Sequence, residues 1–239
     1  MATARETIRT ALLKLRVLRG RSGTPSSAEL ADHLKDLNDL IDRQIGFGSS
    51  LQWRDAYADG AYTVPADYPA LRVLCSRSSA QTITLPEWTT SRPIPDGMRV
   101  GLVDVSANAA TYNITVARNG MKINALASNY TISSNNASVI LMFRADLGDW
   151  KPASALTADS DLPFPSDFDL PVALMLAATI MGEYGPNAQL SQADWNAMRA
   201  GRQKFYNRYC TPPLMYTDAG NLGGATQSLG VTGQDMGVA

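Results

Sequence analysis

The chain has 239 residues, 45% of them hydrophobic and 18% charged, which is enough to bury one large core or two small ones. Its formal net charge of −1 argues against a protein whose main business is coating nucleic acid. Two cysteines far apart, Cys75 and Cys210, read as free thiols in a reducing compartment rather than as a disulfide framework.

The chain starts in a charged amphipathic pattern, with no secretory signal expected. Ile8, Leu12, Leu15 and Leu18 recur at helical spacing and predict a first helix from about Ala4 to Leu18. After Gly20 and Gly23, Ser26 and Glu29 have capping-box spacing and open a second helix with the stripe Leu30, Leu34, Leu37, Ile41 and Ile45. The short loop implies an antiparallel helical hairpin over residues 1–50. Residues 51–80 carry Gly60, Pro65 and Pro69 and read as an extended connector.

Residues 81–152 hold strand-like runs, "QTITL", "MRVGLVDV", "YNITVAR", "MKIN", "NYTIS" and "SVILMF", separated by turn residues. "RNGMK" is the best hairpin signal, because Asn-Gly accepts the positive φ of a type I′ turn. The expectation is a small antiparallel β-domain. An acidic, proline-bearing linker follows over 153–169. Helix returns over 170–210: an apolar segment with Pro171 in its first turn and Asp167 or Asp169 to cap it, then a helix capped by Ser191. "PVALMLAATIM" is too short to cross a bilayer, which takes about 20 residues. Residues 211–239, rich in Gly and poor in large apolar side chains, read as a flexible C-terminal arm. The expected fold class is α+β: a discontinuous helical bundle with an inserted β-domain.

The chemistry inventory is sparse. His33 reads as a solvated or edge histidine, and no zinc-type ligand spacing surrounds it. No "GxSxG" or P-loop ending occurs. Glu87, Asp96 and Asp149 read as surface carboxylates rather than a glycosidase pair. The expectation is therefore no catalytic residue, no metal and no cofactor. Charge is more informative. Arg5, Arg9, Lys14, Arg16, Arg19 and Arg21 crowd the first helix and its end, and Arg199, Arg202, Lys204 and Arg208 the last. Acids collect on the second helix (Asp32, Asp36, Asp39, Asp42) and in the linker (Asp159, Asp161, Asp167, Asp169). These faces pair within one monomer, meet between subunits, or line something that carries phosphate.

The flanks "TARETIRTALLKLRVL" with "SSAELADHLKDLNDLIDRQIGFG", and "DFDLPVALMLAATIMGEYG" with "ADWNAMRAGRQKFYNRY", resemble the head-to-tail adaptor (head-completion, packaged-DNA-stabilisation) proteins of short-tailed bacteriophages. The aromatic that follows the second helix in that family is matched only loosely, by Phe47 or Trp53. The central segment departs from the minimal members and looks like a β-module of phage structural proteins. The resemblance implies a non-enzymatic virion protein at the head–tail junction, made in the host cytoplasm. It implies a homo-oligomeric ring, typically of twelve copies, that binds the portal protein, extends the DNA channel and supports tail nozzle or fibre proteins. It implies that the C-terminal arm grips the portal, with Pro213, Leu214, Met215, Tyr216, Leu222, Leu229 and Val231 as contact residues. Arg9, Arg16, Arg19, Arg202 and Arg208 are the candidates for portal- or channel-facing charge, including non-specific contact with packaged DNA. The rival expectation is a glycan-binding or glycan-hydrolysing module on the β-domain, with Trp88, Tyr112, Tyr130 and Trp150 as sugar-stacking aromatics.

Overall fold

The computed structural model describes residues 2–18, 23–44, 53–76, 78–89 and 93–209. They form an α+β fold. Helix α1 (Ala4–Lys14) is started by a capping box: Thr3 Oγ1 accepts the Glu6 N–H at 3.2 Å, and Glu6 accepts the Thr3 N–H at 2.9 Å. Ala4, Ile8, Ala11 and Leu12 are its buried face. It stops short of the expected Leu18 because Arg16 turns left-handed (φ 59°), which breaks the 3.6-residue repeat. Val17 and Leu18 still pack, half-buried, on the same core without being helical. Helix α2 (Ser27–Gln44) has the expected box, with Ser26 and Glu29 exchanging hydrogen bonds of 2.8 and 3.2 Å. Leu37, Leu40 and Ile41 are its buried apolar residues, in one core with α1 and the later helices.

Ten strands follow among the described residues: β1 (Arg54–Ala58), β2 (Tyr62–Thr63), β3 (Ala70–Cys75), β4 (Gln81–Thr84), β5 (Arg99–Asp104), β6 (Ile114–Ala117), β7 (Lys122–Ile123), β8 (Tyr130–Ile132), β9 (Ser138–Arg144) and β10 (Asp149–Pro152). The segment read as a connector is extended, but it supplies the first three strands of the sheets. The antiparallel module expected from the sequence is instead mixed. A six-stranded sheet has the order β1-β3-β5-β9-β10-β7 and a four-stranded one the order β2-β4-β6-β8. From β1 to β9 the chain alternates between the two, so β1/β3, β3/β5, β2/β4 and β4/β6 pair in parallel, and β7 lies parallel to β10. Among the described strand pairs, β5/β9, β9/β10 and β6/β8 are the antiparallel ones.

The Asn-Gly turn forms, but not the hairpin expected from it. Asn119 (φ 48°) and Gly120 (φ 88°) take the left-handed geometry expected. The strands they join do not pair with each other: β6 stays in the four-stranded sheet and β7 crosses to the other. A tight turn reverses the chain, and here the reversal carries it from one sheet to the other. Val73, Val100, Leu102, Leu141, Phe143 and Trp150 from one sheet share a core with Ile83, Ile114, Val116 and Ile132 from the other.

Helix α3 (Asp169–Ile180) follows a 3-10 turn, Ser166–Phe168. Neither expected aspartate caps it; Asp169 instead accepts the Ala2 N–H at 3.0 Å, tying the chain's start to this helix. A second 3-10 turn, Met181–Tyr184, leads to α4 (Gln192–Tyr209), where Ser191 caps by accepting the Asp194 N–H at 3.2 Å. Helix α3 is nearly all apolar because it touches α1, α2 and α4. Gly201 lets α4 approach it closely: a Cβ there would lie 2.4 Å from the Pro171 Cβ.

Two devices join the helices to the sheets. Strand β9 alternates between cores, with Leu141 and Phe143 in the sheet core and Ile140 and Met142 against the helices. At the end of α4, Tyr209 lies over Gly97, where an added Cβ would meet its ring at 2.6 Å, and the Arg208 guanidinium donates to Asp96 at 2.8 and 2.9 Å.

Candidate functional site

The charge segregation seen along the sequence is largely neutralised inside the monomer. Arg5 pairs with Asp159 at 3.0 Å, Lys14 with Asp194 at 2.7 Å, Lys204 with Asp167, and Arg208 with Asp96. The pairing holds the Asp194 and Asp167 carboxyls below the usual carboxylate range, with the lysine hydrogen bond as the first cause in each. The first and last helices thus use these bases to hold the linker and each other.

Of the five basic candidates, Arg9 is half-buried and donates to the Gly23 carbonyl at 2.9 Å, which ties α1 to the segment just before α2. Arg208 is occupied by Asp96, and its guanidinium lies 5.9 Å from the Phe168 ring centre. Arg19 lies outside the described residues, as do the arm residues Pro213, Leu214, Met215, Tyr216, Leu222, Leu229 and Val231. Arg16 and Arg202 are exposed and, like Arg199, form no ion pair among the described residues.

Arg202 stands at a groove of about 340 Å³ between α3 and α4, lined also by Met175, Ala178, Thr179, Trp195 and Met198. Positions 195, 199, 202 and 206 recur at helical spacing, so Trp195, Arg199, Arg202 and the 54%-exposed Tyr206 follow one stripe of α4. Such a surface accepts an apolar side chain and offers guanidinium forks to a carboxylate or phosphate beside it. The groove could have been read from the α4 pattern only by noticing that Trp195 and Arg202 sit seven residues apart.

The rival aromatics are not brought together as a platform. Trp150 is fully buried, with its ring 5.2 Å from Phe143, and so is corrected from a sugar-stacking candidate to a core residue. Trp88 (37% exposed) leans on the same Phe143 at 5.9 Å, Tyr112 is exposed and Tyr130 half-buried against the sheet core. Asp149 is buried too, accepting the Ala125 N–H at 2.8 Å and facing Lys151 at 3.4 Å, and Lys151 reaches on to Asp161 at 3.6 Å. Asp96 accepts from Ala145 as well as Arg208, whereas Glu87 is exposed as expected.

His33 also departs from expectation. It is 2% exposed, with Nδ1 3.0 Å from Asp36 Oδ2 and Nε2 2.5 Å from the Tyr184 hydroxyl. Tyr184 arrives from the turn after α3, which nothing local to α2 announces. No helix among the described residues is long and apolar enough to cross a membrane. Compared with known proteins, the chain matches no family model and no curated protein.

Proposed function

We propose that the chain is a structural virion protein, a ring-forming adaptor that joins a portal to a tail and extends the DNA channel. The observation that carries this reading is the α4 stripe. Most bases of α1 and α4 are consumed within the monomer, yet Arg199 and Arg202 stand free among the described residues beside an apolar groove. An apolar groove flanked by uncommitted guanidinium groups suits recognition of another protein surface, and Arg16 adds a further free charge for one that carries carboxylate or phosphate. On this reading the four helices act as one discontinuous bundle. The β-domain, inserted between its halves, is the second contact surface, towards tail nozzle or fibre proteins, and residues 211–239 are the portal-gripping arm.

The test is light scattering on the purified chain alone and after mixing with a portal ring. A large complex of fixed stoichiometry is expected on mixing, weakened by Arg199→Glu with Arg202→Glu and by deletion of residues 213–239. A chain indifferent to portal would overturn the adaptor reading.

A further inference from the structure

We propose that residues 214–218 of the chain fold back onto its own α3/α4 groove when no other protein holds them. Met215 and Tyr216 enter the groove, Leu214 covers Tyr206, and Asp218 pairs with Arg199 and Arg202. In the groove Met175 and Met198 are buried, Ala178 and Trp195 are half-buried, and Thr179 and Arg202 are exposed at the rim. Tyr206, 54% exposed, continues the Trp195–Arg202 stripe into the last turns of α4. An apolar cover over this stripe removes the two half-wet rings from water.

Composition, charge and reach together select this occupant. Beyond Tyr209 the sequence is mostly glycine and small polar residues, and Leu214-Met215-Tyr216 is its one run of three large apolar side chains. The same stretch holds two acids, Asp218 and Asp235, and no lysine or arginine. It is therefore complementary to Arg199 and Arg202, which are exposed and form no ion pair among the described residues.

Reach follows from where α4 ends. Its last residue is Tyr209, and Pro212 and Pro213 do not continue a helix, so the chain leaves the α4 axis there. Going back from Tyr209, α4 rises about 10 Å to Arg202 and about 15 Å to Arg199. With the reversal made over residues 210–213, residues 214–218 span about 16 Å when extended. Leu214 then lies beside Tyr206, Tyr216 comes level with Arg202 at the mouth of the groove, and Asp218 comes level with Arg199. The groove is thereby closed in the free chain. On the adaptor reading, a portal that takes hold of the arm opens it.

The test uses the full chain with p-benzoylphenylalanine in place of Tyr216, irradiated in dilute solution without portal and mapped by peptide mass spectrometry. The expected product is an adduct within one chain, on the peptides that carry Met175, Thr179, Met198 or Arg202, with a yield independent of protein concentration. Arg199→Glu with Arg202→Glu, both at exposed positions, should lower that yield by about threefold or more, because a tethered segment this short docks weakly. Adding Asp218→Arg should restore most of it. Adducts confined to other parts of the chain, adducts between chains, or a yield unmoved by the charge reversal would each overturn the docking. No portal enters the experiment, so its failure leaves the adaptor reading standing, and a chain indifferent to portal leaves the docking standing.

Discussion

Gly201→Ala sets two physical effects against each other. Gly201 lies inside α4, where alanine is favoured over glycine by about 1 kcal/mol from helix propensity alone. The new methyl, however, would lie 2.4 Å from Pro171 Cβ, 2.8 Å from its Cγ and 3.4 Å from its Cα. Carbon atoms prefer about 3.5–4.0 Å, so α3 and α4 must part by roughly 1 Å. Pro171 cannot yield by changing rotamer, because its ring is fixed to the backbone of the first turn of α3. Overpacking of this kind costs about 1–3 kcal/mol, and the rigid partner places it at the upper end. The net expectation is a loss of about 2 kcal/mol, equivalent to roughly 4–8 °C in Tm for a chain of this size. Urea denaturation followed by far-UV circular dichroism reads it as a lower midpoint at constant slope. A variant as stable as the parent, or more so, would refute the close approach of the two helices.

Three further outcomes follow from the ionisable groups. The carboxyls of Asp146, Asp167 and Asp194 are held low, first by hydrogen bonds from Arg144, Lys204 and Lys14. Their contribution is present above about pH 4 and is lost as pH falls through the folded-state values, so midpoints in urea should drop on acidification below that point. Burial raises the Tyr209 hydroxyl well above its ordinary value, so stability should also decline above about pH 10, and this alkaline limb should shrink in Tyr209→Phe. The Cys75 thiol is 1% exposed and pushed up to about 11, first by burial and then by Asp104. In a Cys210→Ser background it should resist a thiol-specific disulfide reagent at pH 8 and react on adding denaturant. Stoichiometric labelling of the native protein within minutes would contradict its burial.

What the sequence discloses here is what depends on neighbours a few residues away. The Ser26–Glu29 box starts α2 as its spacing predicts, and the same signal, Thr3 with Glu6, was available for α1. The apolar run in β9 marks a strand, and its lack of alternation is the mark of burial on both faces. The end of α1 was not legible, because apolar spacing continues through Leu18 while the backbone turns at Arg16. Sheet topology was not legible either, since residue pattern specifies a strand and a turn but not which strand receives the chain. The candidate site follows the same rule. The bases could be counted, but whether each was free depended on partners such as Asp194, 180 residues from Lys14, and Asp96, 112 residues from Arg208. His33 was misread for the same reason, as Tyr184 lies 151 residues away.

The alternation of strands between the two sheets makes the β-region a ruler. From β1 to β6 each circuit of the chain lays one strand on each sheet, beside and parallel to the one before. Adding or removing a circuit at the β1 and β2 edge would change the reach of this region by about 4.8 Å, the spacing of neighbouring strands. Strand β9, which packs Ile140 and Met142 against the helices, would keep its place. Length could then vary in fixed steps while the junction with the helices stayed the same.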